Sequence, residues 1–307
     1  MLDQFVQVSV NRFSPESPTC PVLAFESETK MLGGAGNVAT NLVSLGAYAV
    51  RLLGLIGHDS SGRELEALVR QSKLTDHLMS IEGRPTTTKV RYIAEGKHLM
   101  RFDRETTEPA NQFDADVFLN EIHKWAWKQI DGIVLQDYAK GVITPYLVRA
   151  LMRVAKENDV PVFVDPKSDH WQHFGGAALI KPNLPEITAA FGISEESKNS
   201  VEFLGRSMLQ YTGAEAVVVT RGRDGMSLFT EDEEAWIIPN SIDVVDVSGA
   251  GDTSMAALVL CRLAGGSWIE ALELTNAAAG IAVGKRGTST VTADELLNKF
   301  PKEENDA

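Results

Sequence analysis

The segment Asp246-Val247-Ser248-Gly249-Ala250-Gly251-Asp252-Thr253 decides the fold class, because its glycine turn leads directly into an apolar helix. The residues that follow are apolar at helical spacing to about Ala264, and the β-branched run Ile242 to Val247 predicts a short strand before the turn. This order leaves several backbone N–H groups unpaired at the start of the helix. Together with the positive end of the helix dipole, these groups form a site for an anion.

An aspartate stands beside this predicted anion site. Asp252 falls in the first turn of the helix, and Gly249, Ala250 and Gly251 would supply the N–H groups. The simplest alternative is that Asp252 only caps the helix, which is a common role for aspartate. A catalytic role for Asp252 therefore needs support from the rest of the chain.

These residues resemble the signature of the ribokinase-like carbohydrate kinases. In that family the last aspartate of the signature removes the proton from a sugar hydroxyl, and the glycine turn holds the charge that develops on the transferred phosphoryl group. The resemblance implies that Asp252 is the base and that Gly249, Ala250 and Gly251 form the anion hole. Phosphoryl transfer depends mainly on positioning and electrostatic stabilisation, which agrees with these roles.

Length, charge and cysteine content favour a globular α/β protein over a nucleic-acid-binding, membrane-spanning or secreted one. With 307 residues, 44% of them hydrophobic, the chain is long enough for one large α/β domain. The formal net charge of -13 argues against general nucleic-acid binding, and no apolar run is long enough to span a membrane. Cys20 and Cys261 are the only cysteines, and the N-terminus does not read as a secretory signal, so we expect a cytoplasmic protein.

The order of elements predicts an α/β fold with a mainly parallel sheet and helices on both faces. Strands are expected at 51–56, 132–136, 160–165, 178–181, 216–220 and 225–229, and helices at 33–45, 62–71, 114–129, 145–158, 184–191 and 200–212. We expect a single domain over residues 1–307, with a small β lid formed from about 4–29 and 85–104. Glu95-Gly96-Lys97 is a hairpin signal within that lid.

The segment Gly33-Gly34-Ala35-Gly36-Asn37 lets the backbone approach a ligand and starts a helix. One alternative is the dinucleotide fingerprint G-x-G-x-x-G, but here the order differs and Asn37 replaces the last glycine. Another alternative is a tight turn without a ligand. The family resemblance implies that Gly33, Gly34 and Asn37 contact the hydroxyls of the sugar, together with Asp3.

The segment Lys181-Pro182-Asn183-Leu184-Pro185-Glu186 is similar to a family element that organises Mg²⁺ and its water ligands near the phosphates of ATP. The resemblance implies that Asn183 and Glu186 act on the metal ion through water, which suits the weak tendency of Mg²⁺ to lose its water. The same two residues also describe a capping box, in which Asn183 is the N-cap. Both interpretations are compatible with each other.

Four further residues take roles from the family resemblance. Thr220 and Gly222 would border the nucleotide phosphates, although by itself their segment is only a polar turn. Asn276 would border the adenine, although close helix packing explains its alanine-rich surroundings equally well. Asp246, with the loop 287–289, matches the place where some relatives bind a monovalent cation.

Three segments, 11–18, 137–141 and 284–290, resemble the branch of the family that phosphorylates O1 of D-glycero-β-D-manno-heptose 7-phosphate, for the lipopolysaccharide core. The resemblance spans nearly the whole chain and implies ATP and Mg²⁺ as cofactors. The basic residues of the lid would meet the sugar phosphate. Alternatively, these basic residues merely decorate an exposed hairpin. The substrate residues implied are Lys89, Arg91, Arg101, Asp137 and Lys140.

Two other functions remain open: another sugar kinase, such as a ribokinase or fructokinase, or a regulator that binds a sugar or nucleotide without turnover. The intact Asp252 beside the glycine turn favours an enzyme. Bifunctional members of the family carry a nucleotidyltransferase with a His-x-Gly-His element, which this sequence does not contain, so we expect kinase activity only. The β lid of the family often pairs between subunits, which predicts a homodimer.

The resemblance also predicts a departure from the family at Met1. Relatives begin with an apolar strand that ends in Gly-Asp just before the segment that matches Met1-Leu2-Asp3, and the chain starts at that segment. We therefore expect the central sheet to lack one strand and Asp3 to be poorly anchored. Either the gene encodes an earlier start, or the product is less stable and weakly active.

Overall fold

The computed structural model describes residues 1–167, 169–193, 200–239 and 244–300. Its strands are β1 (Leu2–Ser14), β2 (Ser17–Leu32), β3 (Val50–Gly57), β4 (Leu74–Ile81), β5 (Thr88–Ala94), β6 (Lys97–Arg104), β7 (Ile133–Gln136), β8 (Val162–Asp165), β9 (Leu179–Ile180), β10 (Ala216–Thr220), β11 (Met226–Thr230) and β12 (Glu234–Ile237). Its helices are α1 (Ala35–Ser44), α2 (Ser60–Gln71), α3 (Gln112–His123), α4 (Pro145–Glu157), α5 (Leu184–Ala190), α6 (Val201–Thr212), α7 (Ala250–Leu263), α8 (Trp268–Val283) and α9 (Ala293–Leu297).

The main sheet has six strands in the order β12-β11-β10-β9-β8-β7. Strands β7 to β10 run parallel, and β11 and β12 are added antiparallel at one end. A separate parallel pair is formed by β3 and β4. The prediction of an α/β fold with a mainly parallel sheet is therefore confirmed.

Buried side chains cover both faces of the main sheet. Successive residues of a strand point to opposite faces, and β10 shows this clearly. Val217 and Val219 pack with the buried residues of α4 and α6, whereas Ala216 and Val218 pack with those of α1 and α7. The carboxyl end of β10 thus opens between two helical layers, which is where ligands collect in folds of this class.

The β3–β4 pair lies between the same two layers as β7. Leu53 and Leu55 of β3 pack against the cluster that contains Leu135 of β7, and Val50 packs against the cluster that Val134 joins on the other face. Within the described residues β3 pairs only with β4, and β7 pairs only with β8. The β3 and β7 edges therefore share both covering layers.

A four-stranded sheet, which we call the small sheet, has the order β2-β1-β5-β6. Strands β1 and β5 are parallel, and the outer pairs are antiparallel. The hairpin predicted around Glu95-Gly96-Lys97 is confirmed as the connection between β5 and β6. The small sheet carries exposed apolar side chains, among them Phe13, Phe25 and Phe102.

Most long helices start at a residue whose side chain accepts a hydrogen bond from the first turn, as helix-capping predicts. Examples are Asn111 before α3, Thr144 before α4 and Ser267 before α8. Helices α1 and α7 differ, because each starts at a glycine with positive φ and has no side-chain cap. These glycines are Gly34 (φ 57) and Gly249 (φ 79). At these starts the N–H groups of Gly36 and Ala250 donate to the carbonyls of Gly33 and Val247, at 3.2 and 3.3 Å, and no side chain caps the first turn.

Three local predictions need correction. Helix α3 ends at His123 rather than 129, and only a short 3-10 helix (Trp127–Gln129) follows. Between them the ring of Trp125 lies 6.2 Å from that of His77, in a tilted arrangement. Strands β4 and β12 were not predicted, since neither alternates clearly in sequence. Residues 244–247 are not a strand, because the N–H groups of residues 245 and 246 both donate to the same carbonyl, that of Val283. Residues 242–243 lie outside the described residues.

Across the described ranges, no helix combines the length and the apolar character that crossing a membrane requires.

Candidate active site

The start of α7 has the geometry that an anion site requires. Gly249 has φ 79 and ψ -1, a left-handed conformation, and a Cβ there would lie 2.7 Å from the side-chain nitrogen of Asn37. Only glycine is compatible with both conditions. A Cβ on Gly251 would meet nothing within 4 Å, so open space lies in front of this part of the turn. The predicted anion hole of Gly249, Ala250 and Gly251 therefore borders free volume.

Asp252 is buried, with 5% of its surface exposed, and three side chains donate hydrogen bonds to its carboxylate. Asn37 Nδ2 lies 2.8 Å from Oδ2, and the Tyr138 hydroxyl lies 2.7 Å from Oδ1. Gln136 Nε2 lies 3.3 Å from the same Oδ1. Asn37 is itself fixed by Asn41, whose Nδ2 donates to its backbone and side-chain oxygens. The carboxylate is thus held in one orientation.

Burial raises the pKa of Asp252 to about 6, and the hydrogen bonds from Asn37 and Tyr138 limit the rise. Asp165 raises it further, and Lys181 opposes that effect. A carboxylate with this pKa is ionised at neutral pH and is a better proton acceptor than an exposed aspartate. Burial, followed by the charge of Asp252, raises the pKa of Tyr138 well above its ordinary value, so the phenol remains a donor.

We expect kcat/KM to rise with pH and to level off above about pH 6, because only ionised Asp252 accepts a proton. A sugar phosphate also ionises near pH 6, so the variant Tyr138→Phe separates the two effects. Loss of the Tyr138 hydrogen bond raises the pKa of Asp252 and should move the acid limb of the profile to higher pH. An acid limb that stays in place in Tyr138→Phe would assign it to the substrate.

A second group of predicted residues surrounds Asp3, which is 3% exposed at the start of β1. Its Oδ1 accepts a hydrogen bond from Arg91 Nη1 at 2.7 Å. A Cβ on Gly33 would lie 2.4 Å from Asp3 Oδ2, and one on Gly34 would lie 3.0 Å from the ring of Tyr138. The absence of side chains at Gly33 and Gly34 therefore leaves room for Asp3 and Tyr138 beside the start of α1.

A cavity of about 170 Å³ connects several predicted residues at the carboxyl ends of β7, β8 and β10. Asp252, Gly249 and Gly251 form one side of it. The other residues that line it are Gln136, Asp137, Tyr138, Asp165, Lys167, Lys181, Asn183, Glu186 and Thr220. The structure therefore brings the predicted base, the anion hole and three of the predicted nucleotide residues to one cavity.

Asn183 and Glu186 form the capping box that the sequence predicts for α5. Asn183 Oδ1 accepts from the Glu186 N–H at 2.8 Å, and Glu186 Oε2 accepts from the Asn183 N–H at 2.8 Å. Burial raises the pKa of Glu186, and the Asn183 hydrogen bond opposes it. Thr220 lies alongside, because Asn183 and Thr220 form a bridge between adjacent backbones.

The oxygen atoms of this cavity suit a magnesium ion that is held indirectly. No group of three or more His, Cys, Asp or Glu side chains in the part of the chain that the structure describes is arranged to hold a metal ion. Asp165 and Glu186 line the cavity, and carboxylate oxygens are the ligands that Mg²⁺ prefers. Because Mg²⁺ usually keeps several waters and binds substrate phosphates, these residues fit it as outer ligands.

Sequence reasoning assigned no role to three residues that hold this site together: Gln136, Lys181 and Asn41. Gln136 Nε2 donates to Asp165 Oδ2 at 2.8 Å as well as to Asp252. Lys181, which is 3% exposed, pairs with Asp165 at 2.9 Å. Asn41 fixes Asn37 from one helical turn further on in α1. The available signal was a polar residue at the end of a predicted strand or on the buried face of a predicted helix.

Three of the residues predicted for the nucleotide and the monovalent cation do not line this cavity. Asn276 donates to the carbonyl of Ile238 at 3.3 Å, and Gly222 occupies the turn after β10 with φ 57. Asp246 joins two loops, because its carboxylate accepts from the N–H groups of Ser248 at 2.9 Å and Gly287 at 3.0 Å. Asp246 and the loop 287–289, which the sequence analysis grouped together, are therefore in direct contact.

The predicted basic residues are paired with acids. Arg91 binds Asp3, and Arg101 lies 2.9 Å from Asp103 on the exposed side of the small sheet. Lys89 lies 3.1 Å from Asp103 and 3.4 Å from Glu105. Lys140 lies 2.7 Å from Glu105. Lys89 and Lys140 therefore converge on the carboxylate of Glu105. Arg101 shares Asp103 with Lys89, and Arg91 lies apart from them beside Asp3.

The fold and the buried Asp252 beside the Gly249 turn agree with the predicted class of carbohydrate kinases. The sequence profile of the pfkB family of carbohydrate kinases matches residues 3–295. The chain belongs to this family, so it is a phosphotransferase that acts on a sugar hydroxyl, and such kinases use ATP with a divalent metal ion.

Curated relatives and solved structures agree with this assignment. The bifunctional protein HldE of Caulobacter vibrioides is 44% identical over 299 residues, which is 96% of this chain and 61% of that protein. The HldE of Paramagnetospirillum magneticum is 40% identical over 306 residues, 99% of this chain and 62% of that protein. The chain thus spans about three-fifths of the length of these relatives.

Solved structures share the fold at low sequence identity. Phosphofructokinase-2 of Escherichia coli, in complex with substrates and products, has a TM-score of 0.80 at 19% identity over 97% of this chain and 95% of that chain. Ribokinase of Arabidopsis thaliana, complexed with ribose and ATP, has a TM-score of 0.71 at 20% identity, over 98% and 96%. These similarities establish the ribokinase-like fold.

Proposed function

We propose that the chain transfers the γ-phosphoryl group of ATP to O1 of D-glycero-β-D-manno-heptose 7-phosphate. The observation that carries the kinase step is Asp252, a buried carboxylate with a pKa of about 6 beside the Gly249 turn. The choice of substrate rests on the resemblance of the segments 11–18, 137–141 and 284–290 to the heptose branch of the family. The convergence of Lys89 and Lys140 on one point supports a phosphorylated sugar.

In the proposed reaction Asp252 takes the proton of the attacking hydroxyl, while Asn37 and Tyr138 keep its carboxylate in place. Asp3 orients the sugar beside Gly33 and Gly34. The N–H groups at the start of α7 stabilise the negative charge on the transferred phosphoryl group. Asn183 and Glu186 would hold Mg²⁺ through water, and bound Mg²⁺ neutralises charge on the nucleotide phosphates.

The remaining nucleotide residues are proposed on the family resemblance. Thr220 borders the cavity and would contact a phosphate, whereas Gly222 would approach it with backbone only. Asn276 would border the adenine from α8. Asp246 and the loop 287–289 would contribute to a monovalent cation site. We also propose that the protein works in the cytoplasm, because its proposed reaction consumes ATP.

The small sheet is proposed as a lid over the sugar and as the contact of a homodimer. It provides Asp3 and Arg91 to the sugar side of the site, so its position affects substrate binding. The apolar side chains of Phe13, Phe25 and Phe102 are exposed on it, and burial against a second copy would remove them from water. Size-exclusion chromatography with light scattering, comparing the parent chain with Phe25→Ser, tests this contact.

The substrate is tested by coupled ADP release over a panel in which each sugar is paired with its phosphate. We expect kcat/KM to be highest for heptose 7-phosphate. Equal kcat/KM for a sugar and its phosphate would contradict the proposed substrate, and the strongest turnover with ribose or fructose would favour another sugar kinase. No turnover with any sugar would leave the regulator as the better interpretation.

Lys140→Ala should raise KM for the sugar phosphate by roughly ten- to a hundredfold, because it removes a charge-assisted hydrogen bond to the phosphate. The KM for ATP should change little. Lys97→Ala is the matched control, since Lys97 is an exposed lysine in the β5–β6 hairpin. An equal effect of both substitutions would mean that the basic residues act only through general surface charge.

A further inference from the structure

Glu105 links two lysines that come from different parts of the chain. It follows directly after β6, the last strand of the small sheet. Its Oε1 lies 2.7 Å from Nζ of Lys140, in the loop after β7, and its Oε2 lies 3.4 Å from Nζ of Lys89, on β5. The three side chains are 14–23% exposed, so the two ammonium groups converge on one carboxylate that is partly shielded from water.

The backbone around this contact is held by other bonds. The Arg84 guanidinium donates to the carbonyls of Lys140 and Glu108, the latter at 3.0 Å. The Ala110 N–H donates to the carbonyl of Gly141 at 2.7 Å. Because these bonds join the segment 105–110 to the loop 138–141, the carboxylate of Glu105 is not needed to connect the two. It can leave the lysines while the connection stays intact.

We propose that Glu105 occupies the place of the substrate's phosphate group in the unliganded protein, and that the sugar phosphate binds by displacing it from Lys89 and Lys140. This proposal rests on the proposed function. It makes Glu105 a specificity-determining residue. A sugar without a phosphate gains nothing by displacing the carboxylate, whereas a phosphate carries more charge than the carboxylate that it replaces.

The charges around the contact support this exchange. Burial alone would raise the pKa of Glu105, but the hydrogen bond from Lys140 and the charge of Lys89 outweigh burial and lower it. Glu105 is therefore a fully charged competitor at neutral pH. Once it is displaced, Lys89 and Arg101 still share Asp103, whereas Lys140 loses the carboxylate with which it pairs. The resulting excess of two positive charges matches an ionised phosphate monoester.

The variant Glu105→Gln tests the proposal, because it keeps the size of the side chain but removes the competing charge. We expect KM for the sugar phosphate to fall by roughly two- to fivefold, the upper part of the range measured for exposed ion pairs, with kcat unchanged. Inorganic phosphate should also bind more tightly, which is measured as the phosphate concentration that half-saturates the rise in Tm. Lys140→Ala should lose this rise.

Glu64→Gln is the matched control. Glu64 of α2 pairs with Lys30 of β2 at 2.9 Å, so it also joins the small sheet to the rest of the chain, without Lys89 or Lys140. We expect it to leave both KM and phosphate binding unchanged. If it tightened phosphate binding as Glu105→Gln does, general charge would explain the result and the proposal would be wrong.

Two other results would overturn the proposal. Glu105→Gln could bind phosphate more weakly, as Lys140→Ala does, which would make Glu105 a support for the lysines. It could also bind phosphate as the parent chain does. The measurement of inorganic phosphate binding through Tm does not depend on turnover of any sugar. If Glu105→Gln binds phosphate more tightly but heptose 7-phosphate is not turned over, this proposal stands and the proposed substrate is wrong. If heptose 7-phosphate is turned over but Glu105→Gln does not bind phosphate more tightly, the proposed substrate stands and this proposal is wrong.

Discussion

Asp252→Asn is expected to lower kcat by about 10²–10⁴-fold, the usual contribution of a general base. The amide keeps the volume of the side chain, and its oxygen can still accept the hydrogen bond from Tyr138. It cannot take a proton from a sugar hydroxyl. Folding should therefore be preserved, and ATP binding should change little, because the predicted nucleotide residues Asn183, Glu186 and Thr220 are untouched. Steady-state kinetics with an ATP-binding titration measure both effects.

Asp114→Asn is the matched control for this prediction. Asp114 lies in the first turn of α3, as Asp252 lies in the first turn of α7, so both substitutions remove a negative charge from a helix start. We expect Asp114→Asn to leave kcat unchanged. If Asp252→Asn also kept near-normal kcat, Asp252 would be no more than a helix-capping residue.

An apolar strand joined in front of Met1 is expected to raise both Tm and kcat/KM. The chain enters β1 between the ends of two strands. The Leu2 N–H donates to Thr87, whose neighbour Thr86 accepts from Gly57 at the end of β3. The side chain of Met1 lies against Gly34 together with Tyr138, just after β7. Residues placed before Met1 would therefore run back between β3 and β7, the two sheet edges that share both covering layers.

Two terms favour such a strand. Five or six residues between β3 and β7 would form ladder hydrogen bonds on both sides and bury apolar side chains on both faces, at about 1.5–3 kcal/mol for each side chain. Ordering costs about 1–2 kcal/mol for each residue, so we expect a net gain of a few kcal/mol.

The measurement compares three proteins by thermal unfolding and steady-state kinetics. These are the parent chain, a variant with five or six apolar β-formers before Met1, and a variant with Gly and Ser at the same length. We expect the apolar variant alone to gain Tm, by roughly 5 °C. Its Asp3 should be anchored more firmly, so KM for the sugar should fall. Equal values for the apolar and polar variants would exclude a strand between β3 and β7.

The features that the sequence predicted correctly are determined by neighbouring residues. The glycine turn at Gly249 needs a left-handed conformation, and the Asn183–Glu186 capping box needs residues three positions apart. The hairpin at Glu95-Gly96-Lys97 is likewise local. In each case the chemistry of a few consecutive residues is sufficient.

The features that could not be predicted depend on distant contacts. The donors to Asp252 from β7 and its loop, Gln136 and Tyr138, are 116 and 114 residues away in the chain. Their approach depends on which strand lies beside α7, which local patterns do not determine. The strand predicted before the turn was wrong for the same reason, because the N–H groups of Val245 and Asp246 both donate to the distant carbonyl of Val283. Tertiary hydrogen bonding outweighed the intrinsic preference for a strand.

The strands of the small sheet contain no tryptophan, which affects how its movement could be detected by fluorescence. The five tryptophans of the chain, Trp125, Trp127, Trp171, Trp236 and Trp268, all lie outside β1, β2, β5 and β6. Several of them sit against other rings in the main body, as Trp171 does against Tyr211 at 4.7 Å. The proposed closure of the small sheet over the sugar would therefore leave the intrinsic tryptophan emission nearly unchanged. The substitution Phe102→Trp, at an exposed position of the small sheet, would add a tryptophan that reports this closure by stopped-flow fluorescence.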